Sequence, residues 1–239
     1  MHPWQKPKPF LDEARRDWQF AAFAWLLRNC GGYPKFLETT LVLPTPEHFP
    51  DRGLKGRAAA AALFHRVRDH AGMADWPCSV EPAGEAPRVA SADPARIPVF
   101  TYSREGAEPV ALVASFAIDL AGYLLSTMDE PPPGGDARRG AALELGAVFM
   151  GFGIFVANAA VGGRTYLLSE GELAHALALF CLLRRLPAEV ADEHLNPHFR
   201  KYLRLAMPDL AQHELQFRKL RAIVAAPDAA EHTLPARST

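Results

Sequence analysis

Residues Phe116–Leu125 read FAIDLAGYLL, and the fold turns on how this short stretch is understood. One carboxylate, Asp119, interrupts a run that is apolar on both sides, with VALVAS before it and STM after it. A charged side chain inside a packed helix costs several kcal/mol unless something pairs with it. Asp119 is therefore turned to water, satisfied by a partner, or part of a site. The surrounding residues are those of a core helix, expected over about 108–128.

A second apolar run lies downstream. Leu145 to Gly163 reads LGAVFMGFGIFVANAAVGG and holds no charged residue. Its length approaches a membrane span, and Gly146, Gly151 and Gly153 would suit close helix packing in lipid. Glu144 at its edge, Asn158 within it and the lack of flanking aromatic or Lys/Arg anchors favour a helix buried inside a globular domain instead. We expect this helix, at about 137–160, to pack beside 108–128 through Ala121, Gly122, Gly151 and Gly153.

Working outward, Asp12 to Asn29 has an amphipathic pattern that ends at Cys30-Gly31-Gly32, a glycine stop. A short helix is expected over Pro34–Glu38, and a brief strand in TTLVLPTPEHFP, closed by its prolines. Lys55–Ala71 reads as an alanine-rich helix stopped by Gly72. Short strands are expected at Pro77–Val80 and Ile97–Tyr102, inside a loop-rich middle. Further helices are expected at about 170–186 and 198–224, the first opened by a capping box, Ser169 to Glu172. DEPPPGGD, Asp129–Asp136, is a linker. The pattern predicts an α+β, predominantly α-helical fold with one domain over 1–226 and a flexible C-terminal tail, 227–239.

Composition limits the function classes. The 239 residues are 49% apolar and 22% charged, with a net charge of −1, which is a globular profile without the basic excess of a nucleic-acid or anionic-membrane binder. Cys30, Cys78 and Cys181 are odd in number and form no CxxC, so a zinc knuckle or disulfide framework is not expected. With an N-terminal segment lacking a signal-peptide core, this points to the cytoplasm.

A motif comparison falls on the helix around Phe116–Leu125. AIDLAGYLL becomes AHELAHYLL if Ile118, Asp119 and Gly122 are replaced by His, Glu and His. That string is a HExxH zinc helix, in which histidines at i and i+4 grip the metal and the Glu acts as general base. With LVLPTPEHFPD, LFHRVRDHAGM, AVFMGFGIFVANAA and YLLSEGELAHALALFCLLR, the chain resembles a group of uncharacterised bacterial zincin-like proteins that carry an intact His-Glu-Leu-Ala-His motif, over about residues 15–205. The resemblance implies a zincin-like helical core and matches Glu144 to the acid of the downstream helix. Here Ile118 and Gly122 cannot ligate metal, and Asp119 is one methylene shorter than Glu. No zinc is expected at this helix, and no cofactor.

Two function classes follow. The first is a catalytically inactive, zincin-like protein that binds a protein or peptide partner, with Ile118, Gly122 and His175 near the remnant site. The second is an enzyme with a rebuilt site, using Asp119 and Glu144 as metal or acid–base carboxylates. In either case the two acids are expected to enter one pocket, with His175 or Arg164 as the charge partner. Other candidates are weaker. His194 and His198 are separated by a helix-breaking Asn196-Pro197, read as N-cap and first-turn proline. His65 and His70 are not on one helix face. GFGIF is better read as small-residue helix packing than as a nucleotide loop, and Cys181 as an ordinary buried thiol.

Overall fold

The computed structural model describes residues 9–84, 97–103, 108–162 and 165–226. The tail 227–239 and Arg164 lie outside the described residues. The fold is α+β and predominantly helical. Helix α1, Glu13–Asn29, opens on Asp12, whose carboxylate accepts from the Arg15 amide, and α2 follows over Gly32–Phe36. After α3, Gly56–His70, come two short strands, β1 Ser79–Pro82 and β2 Val99–Tyr102, paired parallel with Ser79 opposite Val99. Then come α4 Pro109–Ser126, α5 Arg139–Ala147, α6 Gly153–Val161, α7 Glu170–Arg184, α8 Ala188–Asp192, α9 Pro197–Ala211 and α10 Glu214–Arg221.

Helix α4 lies against α3, α5 and α6, while α7 packs on α6 and along α9. One continuous core joins them, with Phe23, Phe36, Phe64, Phe116, Phe152, Phe180 and Phe199 fully buried. The capping box forms as the sequence predicts: Ser169 Oγ accepts from the Glu172 amide and the Glu172 carboxylate accepts from Ser169. Asn196 caps α9 with Pro197 at its first turn.

Four expectations need correction. The segment around Leu41–Leu43 forms no strand: its backbone bond to a distant segment, Val42 N–H to Gly151 O at 2.9 Å, goes to a helix kink rather than to a strand. The helix expected over 137–160 is broken: a single 3-10 turn, Gly135–Arg138, precedes α5, and a π-turn over Val148–Phe152 separates α5 from α6. The helix expected over 198–224 is two, α9 and α10, divided at Gln212-His213, and α8 was not foreseen. Finally, α4 and α5 do lie side by side, but Gly151 and Gly153 are not their contact. A Cβ on Gly146 would stand 3.1 Å from Ala121 Cβ, and one on Gly122 would stand 3.8 Å from Leu143 Cδ2. Gly153 instead packs on Leu177 of α7.

The long apolar stretch is sheathed by protein. Pro109–Ser126 and Gly135–Val161 are both long and apolar enough to cross a membrane, and 89% of the most apolar window of the second is buried inside the fold. Asn158, the one strongly polar residue of Leu145–Gly163, donates to His194 O (2.8 Å) and accepts from the Asn196 amide (2.9 Å), tying α6 to the turn between α8 and α9.

Candidate functional site

The remnant-motif residues lie on the neighbouring helices α4 and α5. Asp119 and Ile118 are half-buried on α4, and Asp119 is not without a partner. Gly122 faces Leu143 of the neighbouring α5. Glu144, on α5 and 7% exposed, accepts the Leu167 amide on Oε1 and the Leu168 amide on Oε2, both at 2.8 Å. It thus holds the loop leading into α7, and the buried Leu168 amide and the part-buried Leu167 amide both depend on it.

His175 is fully buried on α7 and is engaged by α1. Gln19 Nε2 donates to Glu172 O at 2.8 Å, which turns its amide oxygen toward His175 Nδ1 at 2.7 Å. That orientation makes Nδ1 the protonated nitrogen and leaves Nε2 as a bare lone pair, buried and without a hydrogen-bond partner among the described residues. Burial, reinforced by Arg16 and His213, pushes the imidazole down to about 3. Among the described residues no three His, Cys, Asp or Glu side chains are grouped to hold a metal. His194 sits in the turn after α8, whereas His198 on α9 pairs with Glu170 at 2.7 Å.

The large cavity lies elsewhere. A cleft of about 770 Å³ opens where α1, α3 and α4 end, and none of Ile118, Asp119, Gly122, Glu144 or His175 lines it. Each wall has a local cause. Gly72 takes φ +72°, turning the chain after α3 so that Met73 is buried and Trp76 stands at the rim. Trp76 is held edge-on against Tyr123 of α4 with centroids 4.9 Å apart, and the Tyr123 hydroxyl reaches Pro77 O. Leu124, Thr127 and Met128 come from the end of α4.

The floor is made by the π-turn. Gly151 adopts φ +97°, and a Cβ there would sit 2.1 Å from Thr40 O, so only glycine admits the 39–43 segment at this distance. The widened turn presents Phe149 and Met150 to the cleft, with Phe149 against Phe36 (4.9 Å) and Phe23 (5.8 Å). Three of the chain's five methionines, Met73, Met128 and Met150, line this one cavity, and methionine is the apolar side chain that adapts to varied partners.

Sequence reading missed this cleft. The signals were a glycine amid an unbroken apolar helix, Trp76 in the loop-rich middle, and acids directly following a helix end. Comparison of the chain with protein-family models, with curated proteins and with solved structures finds no match.

Proposed function

We propose that this protein is a non-catalytic binding protein, zincin-like in its helical pattern, that holds a peptide segment of a protein partner in the cleft at the ends of α1, α3 and α4. The observation that carries the reading is the cleft itself: about 770 Å³, with an apolar, methionine- and aromatic-rich floor and a charged rim. That volume and lining are those of a ligand site, and the adaptable floor suits apolar side chains of a peptide. Two further points support the non-catalytic part. Ile118 and Gly122 stand where the resembled motif has its metal-binding histidines, and both Glu144 oxygens are occupied by backbone amides.

The test is selection from a displayed random-peptide library, followed by titration of the best peptide against the natural protein and Met128→Lys. Met128 is half-exposed at the rim, so the longer cationic side chain fills the cleft without entering the core. We expect micromolar-or-better binding, weakened at least about tenfold by the substitution. Failure to select any peptide, or equal binding by Met128→Lys, would refute the reading.

A further inference from the structure

We propose that the segment held in the cleft presents a basic side chain, Lys or Arg, beside its apolar residues; this rests on the reading of the cleft as a peptide site. Three helices end at this cavity: α1 at Asn29, α3 at His70 and α4 at Ser126, and residues at or just past each end line it. A helix C-terminus carries roughly half a negative elementary charge and is stabilised by cations. The last turns of α1 and α3 contain Arg28 and Arg68 with His70, but that of α4 contains no basic residue.

Instead, α4 is followed at once by Asp129 and Glu130, both exposed and both lining the cleft. Acids at that position oppose the dipole, and among the described residues neither has an ion-pair or hydrogen-bond partner. Asp69 adds a third acid from the end of α3, with Arg68 no nearer than 3.9 Å. On the other wall Lys35 is taken by Glu38 at 2.5 Å, which leaves Arg28 as the cation there. The cleft is therefore polarised, negative where the ends of α3 and α4 line it, and the Trp76 ring on the same cavity offers a further seat for a cation. Negative charge kept where it destabilises the fold is what a site for a cationic group requires.

Three fluorophore-labelled peptides with one apolar core, Leu-Phe-Leu, flanked on both sides by Lys, Gln or Glu, separate the possibilities by anisotropy titration. The Lys peptide is expected to bind about tenfold tighter than the Glu peptide, with the gap shrinking as salt is raised. In the double variant Asp129→Asn, Glu130→Gln the gap should largely close, while the melting temperature rises because the acids no longer oppose the α4 dipole. Equal binding of all three peptides, or a preference that survives in the double variant, overturns the inference but leaves the peptide-site reading standing. A melting temperature lowered in the double variant likewise overturns it, since the acids would then be serving the fold. If none of the three binds, the peptide-site reading falls and takes this inference with it.

Discussion

His175 is a buried imidazole with one ring nitrogen committed to another helix. Its ring is spent on bridging α7 to Gln19 of α1, and Phe20 packs against it edge-on at 6.3 Å. The native state keeps the imidazole neutral down to about 3, while the unfolded chain binds a proton near 6.5. Because the unfolded state takes up the proton first, stability is full above about pH 6.5 and falls as pH drops from there toward 3. We predict a loss of several kcal/mol across that window, read by urea denaturation at stepped pH. His175→Asn, which keeps a donor for Gln19 but does not titrate, should flatten the profile. A profile unchanged by His175→Asn would assign the acid sensitivity to other groups. The sequence shows His175 only as a histidine on an apolar face; its partner lies 156 positions away and has no local signature. Glu144 is similar: its position on the helix was legible, but its two backbone partners, 23 and 24 residues on, were not.

At the scale of elements, helix starts were legible where side chains cap them. Asp12, Ser169 and Asn196 each accept a backbone amide in the first turn, so α1, α7 and α9 begin within a residue or two of expectation. The break in the second apolar helix was not legible, because it is set by a distant segment: Thr40 and Val42 press on Gly151, and no proline marks the place. That contact yields a prediction. Gly151→Ala combines a left-handed φ with a collision against Thr40 O, and should destabilise the fold by about 2–4 kcal/mol. It should also displace Phe149 and Met150, so binding should weaken even in molecules that remain folded. Equilibrium denaturation beside peptide titration checks both. A variant of natural stability would show that the π-turn does not constrain the 39–43 segment.

For the whole molecule, the α+β, mostly helical class could be read from periodicity, because each apolar stripe must find a partner stripe. The cleft could not be read that way. Its walls come from the ends of α1, α3 and α4, the π-turn and Ala226, segments spread over almost the whole described chain, and their convergence depends on tertiary packing alone. Asp119, the residue that most attracts notice in the sequence, lies on the same helix as Leu124 but does not line the cavity. The central claim is that this cavity is the binding surface, and methionine methyl resonances report on it directly. Protein labelled with 13C at the methionine methyls carries reporters inside the cleft, Met73, Met128 and Met150, and one on α9 outside it, Met207. Titration with the tightest selected peptide should shift the three cleft methyls in a saturable, concerted manner and leave Met207 in place. Binding that moves Met207 and leaves the other three unchanged would contradict the account.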